Sequence, residues 1–175
     1  MKIRTVPHIL LGILMLCLVI PGLGVAGDGP KGCSPLGSWY GFVDGAVSSI
    51  GSNYGPNESA GTGSLDVTGF DITLNGAFPL AARYTAMRGT WERTGGNTSS
   101  FTMVGLILDS ANQVVWIAKL SGTRTLAENC NTMHIHNTLE IFLPSQDPFE
   151  DTSYFPPVAL GDHDSYRMRV DPPAF

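Results

Sequence analysis

The stretch Thr132–Leu143, which reads TMHIHNTLEIFL, alternates between apolar and polar side chains. Successive side chains of a β-strand point to opposite faces, so the alternation predicts a strand with one apolar face and one polar face. The apolar face carries Met133, Ile135, Leu139, Ile141 and Leu143, with Asn137 as its polar exception. The polar face carries His134, His136, Thr138 and Glu140. The stretch is therefore predicted to separate an apolar interior from a polar surface.

Four segments upstream of this stretch also carry β signals. They are Leu65–Leu74, Ala82–Arg93, Ser100–Asp109 and Gln113–Thr125. Short, turn-prone separators lie between the later ones, at 95–97, 110–112 and 128–131. Because short turns join neighbouring antiparallel strands, this half of the chain is predicted to form an up-and-down meander.

Two of the segments are largely apolar on both faces, Phe101–Leu108 and Val114–Leu120. Such strands are expected to be covered on one side by the interior and on the other by a loop, the C-terminal tail or a partner subunit. A meander of five or six strands avoids open edges most simply by closing on itself. The expected fold is therefore all-β, a small antiparallel up-and-down β-barrel, with a β-sandwich as the alternative.

The remaining segments are predicted to be irregular. Ser49–Gly63 is rich in Gly, Ser and Asn and indicates a loop, and Asp44–Ile50 is compatible with one helical turn. Six prolines follow Leu143 and predict an irregular C-terminal tail. The aromatic residues of this tail, expected to cap apolar surface or a barrel mouth, are Phe149, Tyr154, Phe155 and Tyr166.

The N-terminus has the three parts of a secretory signal. Lys2 and Arg4 precede an apolar run, 9–20, and the small residues 24–26 follow it. The run is short for a permanent membrane span, so residues 1–26 are predicted to be a cleaved signal peptide and 27–175 a single domain. The expected location is periplasmic or extracellular.

Charge and cysteine content narrow the class of protein further. The net charge is −5 and no stripe of Lys and Arg is present, so nucleic acid is not an expected partner. Cleavage would leave two cysteines, Cys33 and Cys130, which predict a disulfide in an oxidising compartment. Two separate buried thiols are the alternative.

Gly37-Ser38-Trp39 lies near the predicted mature N-terminus. It resembles the G-x-W signature of lipocalins and related calycin barrels, and Gly89-Thr90-Trp91 repeats the pattern in mid-chain. The resemblance implies an eight-stranded barrel in which this Trp packs across the closed end and an apolar ligand fills the lumen. The residues expected in the core or cavity are Trp39, Trp91, Trp116, Phe101 and Met103.

The polar face of Thr132–Leu143 raises the question of chemistry. His134 and His136 are alternate residues with Glu140 on the same face. Such a face can offer a general base or form the polar wall of a cavity. It can also hold a divalent metal, with the run Gly161–Asp164 folding back to complete the site. The simplest interpretation is a solvent-facing surface. Tyr84 is a further candidate as a hydrogen-bond donor to a ligand. No cofactor is expected.

Three functions follow from these patterns. The first is an exported barrel that binds a small, largely apolar molecule in its lumen. The second is a barrel isomerase or cyclase acting on a hydrophobic molecule, with His134, His136, Glu140 and Tyr84 as acid–base groups. The third is a structural or interaction subunit, with self-association as one form. An outer-membrane barrel ending in Phe175 is disfavoured, because Pro172 and Pro173 cannot supply the strand hydrogen bonds.

Overall fold

A computed structural model of the chain describes residues 32–43, 47–69, 71, 73, 76, 78 and 80–169. Within these residues the regular secondary structure is nine β-strands and no helix. The strands are β1 Gly37–Val43, β2 Val47–Tyr54, β3 Ala60–Thr68, β4 Arg83–Tyr84, β5 Met87–Gly95, β6 Thr98–Leu108, β7 Val114–Leu126, β8 Thr132–Phe142 and β9 Val158–Arg167.

Eight of the strands form a closed antiparallel barrel. Each of β1, β2, β3, β5, β6, β7, β8 and β9 pairs with the next in that order, and β9 pairs with β1. The short β4 pairs with the end of β6, where Tyr84 lies opposite Ile107. Apart from β4, neighbours in sequence are thus neighbours in the sheet, which confirms the prediction of an all-β, up-and-down barrel.

The register places apolar rows of β6, β7 and β8 next to one another inside the barrel. Met103 of β6 lies opposite Leu120 of β7, which lies opposite Leu139 of β8, and all three are buried. On β8 the predicted alternation is correct, because Met133 is 2% exposed whereas His134 belongs to the exposed residues of the strand. The core therefore lies inside the barrel.

The predicted loop Ser49–Gly63 is wrong, since most of it belongs to β2 and β3 and only 55–59 connects them. The helical turn is likewise wrong for Val47–Ile50, and residues 44–46 lie outside the described part of the chain. Small and polar side chains face inward on β2, with Ser49 and Asn53 buried, while Ile50 is 54% exposed. This inversion of the usual apolar pattern hid the strand.

Two predicted boundaries also change. The strand predicted at Leu65–Leu74 begins at Ala60 and ends at Thr68, after which Gly69 has a φ of +82°. The predicted irregular tail holds for 143–157, but Val158–Arg167 forms β9 and closes the barrel between β1 and β8. Pro156 and Pro157 immediately precede β9. The strand itself contains no proline, so it can pair on both edges.

Segment 143–157 covers part of the outer wall. Lys119 Nζ of β7 donates to the Pro148 carbonyl oxygen at 2.9 Å, and Tyr154 N donates to the Ile141 oxygen at 2.8 Å. Phe142, which points outward on β8, is 0% exposed. The tail thus covers part of the outer face of β7 and β8.

One end of the barrel is closed by the segment 32–36 before β1. A disulfide joins Cys33 to Cys130 in the β7–β8 turn, with a Cα–Cα distance of 5.0 Å, and the predicted pairing is confirmed. Arg93 donates to the Cys33 oxygen at 2.8 Å, and Asn97 accepts from Cys33 N at 3.0 Å. The segment is therefore held from three sides.

Aromatic rings gather at the opposite end. Phe78, which is 1% exposed, packs against Trp116 with ring centroids 5.1 Å apart and against Phe155 at 4.8 Å. Tyr154 lies 5.4 Å from Trp116. These four residues are the aromatic cluster. The expectation that tail aromatics cap the mouth holds for Tyr154 and Phe155 but not for Phe149, which is 67% exposed.

The predicted signal peptide, 1–26, lies outside the described residues. Among the residues that are described, no helix is long and apolar enough to cross a membrane.

Candidate functional site

The barrel encloses a cavity of about 420 Å³. Its walls come from the inner faces of the eight barrel strands and are predominantly apolar. The apolar side chains that line it include Trp39, Leu65, Met87, Phe101, Met103, Ile107, Leu120, Met133, Ile135, Leu139 and Ile141. A cavity of this size lies in the range of small-molecule sites, which are mostly apolar with a few polar groups.

Small residues on the inner faces create this space. Gly105 of β6 lies opposite Ala118 of β7, and both line the cavity. Gly51 of β2 lies opposite Leu65 and also lines it. A barrel of eight strands has an interior that ordinary side chains just fill, so several small inward residues leave room for a ligand.

Arg124 of β7 is a basic residue on the inner face, at the end of the barrel closed by segment 32–36. It lies opposite Ser99 of β6 and Ile135 of β8, and it is 5% exposed. Its Nε donates to Ser99 Oγ at 3.0 Å, and its Nη1 donates to Asn53 Oδ1 at 2.6 Å. Burial lowers the pKa of Arg124 to about 10, so the guanidinium remains protonated at neutral pH.

Two buried polar atoms of the cavity wall lack a hydrogen-bond partner among the described residues: Arg124 Nη2 and Asn137 Oδ1. Asn137 lies opposite Gly122, two residues along β7 from Arg124. Diagonal neighbours on one sheet face are about 7–8 Å apart, so one small ligand can reach both groups. The wall therefore offers polar anchoring points in an otherwise apolar space.

Tyr84 also lines the cavity. Its hydroxyl donates to the Val67 carbonyl oxygen, and burial followed by the nearby Asp66 carboxylate raises the pKa of the phenol. The tyrosine is therefore neutral at physiological pH, with its proton directed to the backbone. This arrangement fixes the side chain in the wall rather than preparing it as a base.

The predicted acid–base residues of β8 lie on the outer wall. His134 Nδ1 is 2.5 Å from Asp164 Oδ1, and His136 Nδ1 is 2.6 Å from Asp162 Oδ1. Glu140 pairs with Lys119 at 2.8 Å. None of these side chains lines the described cavity, so they are not placed to act on a molecule bound there. The described residues contain no group of three or more His, Cys, Asp or Glu positioned to hold a metal ion.

The predicted cavity aromatics divide into two groups. Trp39 and Phe101 line the cavity, as does Met103. Trp91 is 2% exposed and belongs to the core, where its indole N–H lies 3.1 Å from the Thr62 carbonyl oxygen. Trp116 belongs to the aromatic cluster.

Arg124 was not predicted as a site residue, although the sequence holds a signal for it. It shares the parity of Leu120 and Leu126 along β7, and both leucines are buried. A basic residue in an inward row of a strand is an exception to the alternation and marks a functional candidate. Arg124 can be recognised as an inward residue only when it is known which face of Gln113–Thr125 points into the barrel.

No protein-family model, curated protein or solved structure matches this chain.

Proposed function

We propose that this protein binds a small, largely apolar molecule in the lumen of its barrel. The enclosed cavity of about 420 Å³ with its predominantly apolar wall carries the proposal. Removing apolar surface from water stabilises a complex by about 25 cal/mol per Å², so such a wall favours an apolar occupant. The exposure of His134 and His136 on the other side of the sheet favours binding over the isomerase or cyclase alternative.

The two ends of the barrel define how a ligand enters. Segment 32–36, the disulfide and Trp39 close one end, where Trp39 is 3% exposed and its indole N–H donates to the Pro35 oxygen at 3.2 Å. At the other end lie the side chains of the aromatic cluster, which pack against one another without a covalent link. Because one end is closed covalently, we expect the ligand to enter at the aromatic end.

Export forms part of the same proposal. The Cys33–Cys130 disulfide is compatible with an oxidising compartment, and the N-terminal pattern of 1–26 is typical of a cleaved signal. A secreted or periplasmic barrel would meet apolar molecules that need a carrier in water. The G-x-W motif at Gly37–Trp39 supports the same proposal, because it resembles the signature of lipocalins and calycins, which are ligand-binding barrels.

A cavity-filling variant tests the lumen as the binding site. Ala118 lines the cavity, so Ala118→Phe places a ring inside it, and we expect the affinity for a neutral environment-sensitive dye such as Nile red to fall at least tenfold. Dye fluorescence titrations measure the affinity. Quenching of the tryptophan fluorescence, to which Trp39 in the same cavity contributes, supplies a second readout.

The matched control is Ile117→Phe, because Ile117 is the adjacent residue and points to the outer wall. Dye binding by Ile117→Phe should equal that of the wild type. If the wild type binds neither the dye nor any member of a panel of apolar molecules, or if both variants bind equally well, the proposed function is wrong.

A further inference from the structure

Two arginines lie near the closed end of the barrel, Arg124 buried and Arg167 partly buried, and their hydrogen bonding differs. Arg167 of β9 uses all three side-chain nitrogens, donating to the carbonyl oxygens of Cys130 at 3.0 Å, Leu36 at 2.7 Å and Ser34 at 2.5 Å. Its guanidinium also lies over the Trp39 ring, 4.3 Å from the centroid. Each side-chain nitrogen of Arg167 thus has an acceptor within the chain itself.

Arg124 is satisfied only in part. Asn53 and Ser99 accept from two of its nitrogens, whereas Nη2 is buried without a partner among the described residues. No described carboxylate lies within 4.0 Å of this guanidinium, since the ion pairs of the described chain involve other residues. A buried charge without a counter-charge is costly, and natural proteins keep such groups chiefly at functional positions.

The surroundings of Arg124 hold the guanidinium in place. The Trp91 and Phe101 rings lie on it, with centroids 5.4 Å and 5.6 Å from Cζ. Asn53 is itself fixed, because its Nδ2 donates to the Pro35 oxygen at 3.1 Å. The cation is therefore pre-organised. Binding of a ligand to it loses little side-chain entropy, so little affinity is lost to ordering.

The cavity wall as a whole is predominantly apolar, with the polar groups of Asn53 and Asn137 close to this cation. Arg124 is the one Asp, Glu, Lys or Arg side chain among the residues lining the described cavity. Electrostatic attraction is strengthened where water is excluded, so a single negative charge on a ligand would be attracted strongly to this point of the lumen. The rest of the wall favours hydrocarbon.

We propose that the lumen ligand is an apolar monocarboxylate, whose carboxylate accepts hydrogen bonds from Arg124 at the closed end while its hydrocarbon body extends toward the aromatic cluster. This inference rests on the proposed lumen function and names the class of its ligand. Asn137 Oδ1, diagonal to Arg124, is a hydrogen-bond acceptor and therefore does not itself bind the carboxylate. Carboxylates suit this site because guanidinium groups bind them through directed, charge-assisted hydrogen bonds.

A pair of probes that differ only in the head group tests the proposal. Lauric acid and lauryl alcohol would be titrated separately at neutral pH as competitors of Nile red on the full mature protein. We expect the wild type to bind the acid about tenfold to hundredfold more tightly than the alcohol, because hydrogen bonds to charged groups stabilise more than neutral ones.

Variants of Arg124 separate the charge from the structure. Arg124→Gln should reduce the affinity for the acid by that same factor. The affinity for the alcohol should stay within about threefold of the wild-type value, which is close to the usual deviation from additivity between independent sites. Arg124→Lys should retain part of the preference, and it serves as the second variant if the glutamine variant does not fold. Arg88→Gln, at an exposed arginine of β5, is the matched control and should bind both probes like the wild type.

The outcomes distinguish the two proposals. Equal wild-type affinities for acid and alcohol, or equal losses for both probes in Arg124→Gln, overturn the carboxylate assignment and leave the lumen function standing. Failure of both probes to displace the dye overturns the carboxylate assignment alone, provided that Ala118→Phe still lowers the dye affinity at least tenfold. A wild-type protein that binds no dye and no other apolar molecule overturns the lumen function as well.

Discussion

At the residue scale, Trp39 and Arg167 form the contact that closes one end of the barrel. Trp39 begins the pairing of β1 with β9, where it lies opposite Arg167. The guanidinium stacks on the indole and donates to carbonyl oxygens on both sides of the disulfide, in segment 32–36 and in the β7–β8 turn. Burial, then the nearby Arg169, lowers the pKa of Arg167. The stacked pair thus joins segment 32–36, the β7–β8 turn and β9, which are distant from one another in sequence.

Replacing Arg167 should therefore cost stability. Arg167→Met keeps much of the side-chain volume but leaves the carbonyl oxygens of Ser34, Leu36 and Cys130 without their donor. We expect the free energy of unfolding to fall by about 3 kcal/mol in urea titrations. Arg169→Met, at a neighbouring exposed residue, should change it by less than about 0.5 kcal/mol. A stability of Arg167→Met equal to that of the control would contradict the closing role of this arginine.

At the element scale, the pairing of β7 with β8 requires a glycine. A Cβ on Gly122 would lie 2.1 Å from the His136 carbonyl oxygen and 2.8 Å from Asn137 Cα. Backbone atoms of the adjacent strand cannot move aside as a flexible side chain can. The close approach brings the inward Asn137 near the lumen position of Arg124, so the glycine contributes to the geometry of the site.

We predict that Gly122→Ala separates these strands. The free energy of unfolding should decrease by about 2–3 kcal/mol, as for other overpacking substitutions, and the affinity for the lumen dye should fall as well. Gly95→Ala is the control, because a Cβ there meets nothing within 4 Å. Thermal unfolding followed by circular dichroism measures both variants. Equal melting temperatures for the two would show that β7 and β8 are not held at this distance.

At the scale of the whole molecule, the disulfide and β9 close the barrel in different ways. Cys33 and Cys130 are separated by 97 positions, so their bond ties the segment before β1 to the turn before β8. β9 supplies the hydrogen bonds that join β8 to β1. A covalent link across so long a loop restricts the unfolded chain, whereas β9 stabilises the folded sheet.

Removing the disulfide should lower stability without opening the barrel. For the double variant Cys33→Ala/Cys130→Ala, the loop-closure model predicts a loss of about 4 kcal/mol in the free energy of unfolding. Urea denaturation measures this loss, and the wild type under reducing conditions should match the variant. A wild type whose stability is insensitive to reductant would show that this cross-link does not restrict the unfolded chain as the model requires.

Much of the barrel was predictable from the sequence, because a strand with one solvent-exposed face and one buried face alternates between polar and apolar residues. That alternation identified β8 and, with the short turns, the meander of β5 to β8. β2 was missed because its inward residues, Ser49, Gly51 and Asn53, are small or polar. β9 was missed because its inward row holds His163 and Ser165 and its outward row is charged.

The site divides in the same way. The sequence by itself determined the strands with apolar faces, since these depend on local pattern, and it predicted the cysteine pair from residue type and expected compartment. The place of Trp39 at the closed end was implied by the resemblance to the G-x-W signature. Only the tertiary structure decided which side of each strand faces the lumen and that Arg124, Asn53 and Ser99 meet there. The physical reason is that these three residues lie on different strands, and closure of the sheet, rather than any local preference, brings them together.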